Sequence, residues 1–137
     1  MTNRSVVIDT NCLVQIISKK SPFRPVWDAF LNNEYEMCVS NEILDEYQEV
    51  LEQLTTTSIA ENMIMSLINS RNVKMINPQY RFNLIEKDPD DNKFVDCAIT
   101  GGADFIVSDD AHFNILKQIQ FPHVRVWHLS EFLQEFI

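Results

Sequence analysis

The chain has 137 residues, 45% of them hydrophobic, and a formal net charge of −9. This length and composition predict a single globular domain, 1–137, able to bury roughly two-thirds of its unfolded surface. No apolar stretch approaches the ~18 residues needed to cross a bilayer, and the opening residues lack a secretory signal. We therefore expect a cytoplasmic protein without a membrane partner. The negative charge argues against a protein that binds nucleic acid through a broad basic surface.

Strand and helix patterns alternate along the chain. Short runs of β-branched and aromatic residues are typical of buried parallel strands, and apolar residues at helical spacing are typical of helices that cover a sheet. The predicted elements in chain order are a strand at 5–8, a helix at 11–18, a helix from Pro25, a strand at Tyr35–Val39, a helix capped by Ser40, a helix at 58–70, a strand at 73–76, an irregular but packed stretch at 77–89, a helix at 90–100 that ends at Gly101-Gly102, a strand at 104–107, a short helix at 113–117, a strand at 124–127 and a closing helix at 130–136. This order predicts the α/β class, as a three-layer α/β/α sandwich around a mostly parallel sheet of about five strands.

Two of the predicted strands are followed by acidic residues. Asp9 comes directly after the first strand, and Asp110 follows the fourth strand after two intervening residues, Ser108 and Asp109. In open α/β sheets the crevice beyond the carboxyl ends of the strands is where ligands bind. We therefore expect the side chains of Asp9 and Asp110 to project into one crevice.

Two further acids belong to predicted helices. Glu46 lies about two turns into the helix after the second strand, near the boundary of its apolar face. Asp91 lies in the first turn of the helix at 90–100, where the helix N-terminus favours a negative charge. Four converging carboxylates would repel one another unless a cation neutralised them, and oxygen ligands favour Mg²⁺ or Mn²⁺. The pattern predicts metal-dependent chemistry on a phosphate.

Each acid also has a simpler interpretation. Asp9 and Asp110 could cap the helices that follow them. For Asp88 and Asp90 we prefer a solvated loop and a helix cap, and Glu46 alone would be an ordinary surface acid. The functional interpretation therefore depends on the joint pattern.

Cysteines and histidines show no metal-binding motif. The three cysteines are widely spaced in apolar surroundings, which predicts buried, reduced thiols. The three histidines also lack metal-site spacing, and we expect them to be surface or packing residues: His112, His123 and His128.

Several segments together resemble PIN-domain proteins. The opening half of the resemblance is carried by Ile8-Asp9-Thr10-Asn11, by Val39-Ser40 and by Glu46-Tyr47. The closing half is carried by Asp88-Pro89-Asp90-Asp91-Asn92-Lys93-Phe94 and by Ile106-Val107-Ser108. Their order and spacing extend over nearly the entire chain. The resemblance is in particular to the bacterial subfamily of toxin components of toxin–antitoxin systems, the VapC-like ribonucleases.

The resemblance implies a metal-dependent endoribonuclease that hydrolyses RNA phosphodiester bonds with Mg²⁺ or Mn²⁺. The family's four-acid site carries over to Asp9, Glu46, Asp91 and Asp110, as catalytic residues and metal ligands. The resemblance also implies a homodimer and, for a toxin, a small antitoxin partner encoded beside it.

Four further residues are secondary candidates for the same site: Asn11, Asp96, Ser108 and Asp109. Most relatives have glycine where this chain has Asp109, so Asp109 and Asp110 compete for the fourth acidic position. Position 96 is often acidic in the subfamily, but Asp96 lies about 140° around the helix from Asp91 at ~100° per residue. We therefore rank Asp110 above Asp109 and Asp91 above Asp96.

Alternative functions come from other classes. A haloacid-dehalogenase-like phosphatase would need a second acid two residues after Asp9, where this chain has Asn11. A receiver domain would need an acidic pair near the first strand and a lone aspartate after the third, which is not the order found. The stronger alternative is a catalytically silent PIN fold that binds RNA or a protein.

Overall fold

Five parallel strands form the central sheet of the protein in a computed structural model. The structure describes residues 4–137, so residues 1–3, part of the opening segment expected to lack a secretory signal, lie outside the described residues. The strands are β1 (Arg4–Ile8), β2 (Tyr35–Val39), β3 (Val73–Met75), β4 (Phe105–Val107) and β5 (Val126–Trp127). Their order in the sheet is β3-β2-β1-β4-β5. β1 pairs with β2 from Arg4 opposite Tyr35, and with β4 up to Ile8 opposite Val107. The predicted fold class and strand number are confirmed.

Six helices flank the sheet. They are α1 (Thr10–Ile17), α2 (Arg24–Leu31), α3 (Asn41–Leu54), α4 (Thr57–Ile68), α5 (Asn92–Gly101) and α6 (Leu129–Leu133). Two 3₁₀ helices, Pro89–Asp91 and Ala111–Gln118, complete the regular structure. α5 packs against β1, β2 and β4, whereas α2 packs against β2 and α6. Among residues 4–137, no helix combines the length and apolar character needed to span a membrane.

The central strand β1 explains why acids collect at one edge of the sheet. Val6, Val7 and Ile8 are completely buried, as expected for a parallel strand covered on both faces. Each such side chain contributes roughly 1.5–3 kcal/mol through burial, which holds the strand in register. The chain then leaves the core at Asp9, beside the carboxyl end of β4.

Most elements differ from their predicted bounds by one or two residues; the fifth strand, predicted at 124–127, is reduced to Val126–Trp127, and three helical segments differ in type or length. The predicted helix at 90–100 begins as the 3₁₀ turn Pro89–Asp91, with the Asp88 side chain accepting the Asp90 N–H at 3.2 Å. The segment predicted as a short helix at 113–117 is the longer 3₁₀ helix Ala111–Gln118. The closing helix α6 is confined to Leu129–Leu133.

Other local predictions are confirmed. Ser40 caps α3 by accepting the Ile43 N–H, at 3.3 Å. Gly102 ends α5 at φ +65°, a left-handed conformation that suits glycine. The three cysteines are buried and free. The stretch 77–89 is irregular yet packed, since Ile85 is 2% exposed.

Candidate metal centre

Asp9 lies at the carboxyl end of β1 and is 7% exposed. Its Oδ1 accepts the Cys12 N–H at 2.8 Å, so Asp9 caps α1, and its Oδ2 accepts a hydrogen bond from the Ser108 hydroxyl. Burial raises the pKa of Asp9, and these two hydrogen bonds oppose the rise. The capping interpretation is therefore confirmed, but it leaves a buried carboxylate whose charge a cation would stabilise.

Ser108 connects Asp9 to Asp110. The strands β1 and β4 are neighbours, and the Asp9 N–H donates to the Val107 carbonyl at 3.1 Å. Ser108 follows β4 and its Oγ accepts the Asp110 N–H at 3.0 Å. Asp110 then caps the 3₁₀ helix Ala111–Gln118, because its Oδ1 accepts the His112 N–H at 2.8 Å. Adjacent parallel strands thus bring Asp9 and Asp110 to a shared hydroxyl.

His112 connects Asp110 to Asp91. The His112 Nδ1 lies 3.4 Å from Asp110 Oδ1, 3.4 Å from Asp91 Oδ2 and 3.9 Å from Asp88 Oδ2. Within residues 4–137, both His112 Nδ1 and Asp91 Oδ2 are buried atoms without a hydrogen-bond partner. Burial, followed by the charges of Asp88 and Asp110, raises the pKa of Asp91 to about 6, against the opposing effect of His112. The cluster therefore carries excess negative charge in a partly desolvated place.

Glu46 lies on α3 and is linked to the acid cluster through Thr10, the residue that follows Asp9. The Thr10 hydroxyl donates to Glu46 Oε2, and the Lys93 ammonium lies 2.8 Å from Glu46 Oε1. Lys93 also pairs with Asp90 at 3.1 Å, and its side chain is only 8% exposed. Burial lowers the pKa of Lys93, but the contacts with Glu46 and Asp90 outweigh it and raise that pKa overall. A protein ammonium therefore neutralises Glu46 here.

The contacts connect the four predicted acids in sequence around the edge of the sheet. Asp9 and Asp110 share Ser108, Asp110 and Asp91 share His112, and Glu46 reaches the residue beside Asp9. Their assignment as catalytic residues and metal ligands stays a prediction. A tighter group, in which three ligand atoms lie within 4.8 Å of one another, is formed in the described part of the chain by Asp88, Asp91 and His112.

Of the four secondary candidates, Asn11 and Ser108 lie beside the predicted acids, whereas the carboxylates of Asp109 and Asp96 form hydrogen bonds with other parts of the fold. Asn11 lines a cleft of about 460 Å³ together with Asp9, Asp109 and Asp110, and Ser108 holds Asp9 as described above. The Asp109 carboxylate is committed to the start of α6, since its Oδ1 accepts the Leu129 N–H at 3.1 Å and lies 3.1 Å from His128 Nδ1.

Asp96, the remaining secondary candidate, contacts the stretch 77–89. It is 3% exposed and its Oδ1 accepts the Phe82 N–H at 3.1 Å. Asn92 anchors the same stretch, with bonds of 2.9 Å to both the N–H and the carbonyl of Ile85. Asp96 is therefore placed to hold this stretch against α5.

Sequence reasoning missed two participants. His112 was expected to be a surface or packing residue, yet its ring lies among three carboxylates. Lys93, whose side chain is only 8% exposed, pairs with Glu46 at 2.8 Å. The available signal for His112 was its position two residues after Asp110, because a capping aspartate binds the N–H of that residue and so keeps the residue close to the strand end.

The residues present fit a divalent cation. The donor atoms are carboxylate oxygens and one imidazole nitrogen, which are ordinary ligands of divalent metals. Asp91 Oδ2 and His112 Nδ1 are buried atoms that form no hydrogen bond within residues 4–137, and the pKa values of Asp9 and Asp91 are both raised, chiefly by burial. Positive charge bound at this place would relieve the repulsion among the carboxylates.

Comparison with known proteins identifies a family and several similar folds. The family model described as PIN domain matches residues 5–112. A comparison with curated proteins returns no match. Among solved structures, VapBC2 from Rickettsia felis, bound to a DNA fragment from its promoter, superposes with a TM-score of 0.61 at 15% identity, covering 90% of this chain and 98% of that one.

Two further structures are similar. DNA-bound VapBC from Salmonella typhimurium gives a TM-score of 0.59 at 18% identity, over 92% of this chain and 98% of that one. VapC20 from Mycobacterium tuberculosis, described as a sarcin–ricin loop cleaving toxin, gives 0.58 at 12% identity, over 80% and 92%. At these identities the structures show a shared fold, whereas the family match extends over most of the sequence. The chain belongs to the PIN domain family.

Proposed function

We propose that this protein is a metal-dependent endoribonuclease that hydrolyses RNA phosphodiester bonds with Mg²⁺ or Mn²⁺, and that it is the toxin of a toxin–antitoxin pair. The observation that carries the proposal is the meeting of Asp91, Asp110 and His112 with two buried, unbonded ligand atoms among the described residues. Membership of the PIN domain family and the similarity to VapC20, a sarcin–ricin loop cleaving toxin, support the same reaction class.

Asp9, Glu46, Asp91 and Asp110 would hold the cation. When bound, it would supply an activated water and stabilise the charge that develops on the phosphate. The protein's own contribution is to fix the ligands: the α1 N-terminus and Ser108 hold Asp9, while Thr10 and Lys93 orient Glu46. Side chains fixed in this way need little reorganisation when the substrate arrives.

The negative charge of the protein gives the cation a second role. The protein has a net charge of −9, and the site itself is rich in carboxylates. A phosphate backbone would be repelled from such a site unless bound positive charge reverses the local field. We therefore propose that a divalent cation is needed both to bring RNA to the cleft and to cleave it.

The test compares two adjacent aspartates. Asp110→Asn keeps the size of the side chain and removes one negative charge, so RNA binding should be unchanged or slightly tighter. Cleavage should fall by at least about a hundredfold, on the scale seen when support for a metal is lost. Asp109→Asn is the matched control, because Asp109 caps α6. It should reduce cleavage much less.

Two outcomes would reject the proposal. One is RNA binding by the unaltered protein without any metal-dependent cleavage, which would favour the silent binding module. The other is cleavage that Asp110→Asn and Asp109→Asn reduce equally, since the site would then lie elsewhere.

We further propose a homodimer and a small antitoxin as partners. Support for a protein partner comes from the similarity to two DNA-bound VapBC structures. On helix α4, Met65 and Ile68 lie three residues apart on one face and are 55% and 44% exposed, and a second copy of this chain would cover such a surface. Light scattering of the purified protein should give the mass of a dimer, and Met65→Lys should shift it toward the monomer. A monomeric mass at micromolar concentration would contradict the dimer.

A further inference from the structure

His112 is positioned as a nitrogen ligand at the centre of three carboxylates. Two atoms bound to one divalent metal at about 2.0–2.2 Å are separated by at most about 4.4 Å. The distances from His112 Nδ1 to Asp91, Asp110 and Asp88 oxygens are 3.4, 3.4 and 3.9 Å. All three distances therefore permit shared coordination of one ion.

The same distances are longer than a charge-assisted hydrogen bond. A protonated imidazole that bonds a carboxylate approaches it to about 2.7–2.9 Å, since charge-assisted hydrogen bonds are short. Here the nitrogen is held at longer and similar distances from three oxygens, and it forms no hydrogen bond with any described residue. Asp91 Oδ2 is also a buried atom and forms none within residues 4–137. Both atoms are therefore available to bind a metal cation.

Backbone hydrogen bonds hold two of the carboxylates, Asp110 and Asp88, at the starts of the two 3₁₀ helices. Asp110 Oδ1 accepts the His112 N–H at 2.8 Å, and the imidazole Nδ1 of the same residue lies 3.4 Å from Asp91 Oδ2. Asp88 Oδ1 accepts the Asp90 N–H at 3.2 Å, which leaves its Oδ2 on the side of His112. Two local capping interactions, on separate 3₁₀ helices, thus bring the three groups together without the metal.

We infer that Asp88, Asp91 and His112, with Asp110 beside them, form a mixed nitrogen and oxygen position that selects a divalent transition-metal ion over Mg²⁺. Imidazole suits transition metals, whereas Mg²⁺ favours carboxylates and water. The inference rests on the metal centre of the proposed function, because Asp91 and Asp110 belong to both. It adds two ligands to the predicted set of acids and names the class of ion.

Bound Mn²⁺ provides a direct probe of the nitrogen. Electron spin-echo measurements on the full chain loaded with Mn²⁺ should show modulation from a directly coordinated ¹⁴N nucleus. His112→Asn should remove this modulation, because an amide oxygen replaces the imidazole nitrogen. His128→Asn is the matched control, since His128 also lies beside an aspartate, at 3.1 Å from Asp109, and the modulation should persist.

Titration calorimetry measures the selectivity. The unaltered protein should bind Mn²⁺ more tightly than Mg²⁺. His112→Asn should weaken Mn²⁺ binding by at least about tenfold and change Mg²⁺ binding much less. Asp88→Asn should also weaken Mn²⁺ binding, whereas Asp90→Asn should not, because Asp90 is 77% exposed and pairs with Lys93. Melting curves in chelator show whether each variant is folded.

The unaltered protein alone can overturn the inference. Absence of ¹⁴N modulation from bound Mn²⁺ would do so, as would equal Mn²⁺ and Mg²⁺ affinities, and neither result requires a variant to fold. RNA cleavage is scored separately. Cleavage without ¹⁴N modulation would leave the proposed function standing and reject the nitrogen ligand, whereas modulation without cleavage would support the ligand and reject the nuclease.

Discussion

Asp91→Asn should stabilise the metal-free protein at neutral pH while weakening its response to divalent cations. Burial, with the neighbouring charges of Asp88 and Asp110, raises the pKa of Asp91 from 3.8 to about 6. Between these two pH values the folded state binds a proton that the unfolded state has lost. Stability therefore falls as the pH rises through this window, and the full penalty applies above pH 6. Asparagine carries no charge, so the Asp91→Asn variant avoids this penalty.

The structure gives the size of the effect. A pKa that rises from 3.8 to about 6 corresponds to roughly 3 kcal/mol in favour of unfolding. The side chain retains 16% exposure, and solvent at its edge reduces the penalty, so we expect a gain of about 1–3 kcal/mol for Asp91→Asn. For a domain of this length that is a rise of about 3–10 °C in Tm.

Binding of Mn²⁺ should offset the stability that Asp91→Asn gains. A ligand present at a hundred times its Kd stabilises the folded state by about 2.7 kcal/mol. The unaltered protein should receive this stabilisation from Mn²⁺, and Asp91→Asn should lose most of it. The difference in Tm between the two proteins should therefore vanish or reverse when Mn²⁺ replaces chelator.

Thermal melts of both proteins from pH 4 to 8, in chelator and in Mn²⁺, check the reasoning. In chelator the variant should lack the loss of stability that the unaltered protein shows between pH 4 and 6. A variant that melts below the unaltered protein at pH 7.5 in chelator would contradict it. So would an equal rise in Tm for both proteins when Mn²⁺ is added.

Two further variants separate the support of the site from its ligands. Lys93→Gln should destabilise the metal-free protein by about 2 kcal/mol, because it leaves Glu46 without its ammonium partner. Mn²⁺ should stabilise this variant more than it stabilises the unaltered protein. A smaller Mn²⁺-dependent gain in calorimetric melts would refute this expectation. Asp96→Ala should cost about 1–2 kcal/mol by releasing the Phe82 N–H. Its Mn²⁺-dependent rise in Tm should match that of the unaltered protein, and loss of that rise would place Asp96 in the metal centre.

The sheet and its acidic edge were predictable because the signals are local. Val6, Val7 and Ile8 form a continuous apolar run, and such a run marks a strand that is buried on both faces. The residue after the run must then lie at the carboxyl edge. This reasoning located Asp9, and the same pattern located Asp110 after β4.

The side chains that complete the site depended on less local information. Phe113 and Leu116, which are both buried, are three residues apart, and this spacing suits a 3₁₀ helix as well as an α-helix. The sequence pattern therefore did not predict that a 3₁₀ helix begins at Ala111 and carries His112 back toward Asp91. Likewise, the pairing of Lys93 with Glu46 depends on how α5 packs against α3, which the sequence of either helix alone does not specify.

The most direct measurement of the central claim is RNA cleavage by the purified protein with Mn²⁺, with Mg²⁺ or with chelator. Unstructured and structured RNAs are incubated with the unaltered protein and with Asp9→Asn, and both binding and cleavage are recorded. We predict cleavage with a divalent cation, none with chelator, and at least about a hundredfold less with Asp9→Asn at similar RNA affinity. Binding without cleavage under every metal condition, or cleavage that persists in chelator, would contradict the metal-dependent nuclease.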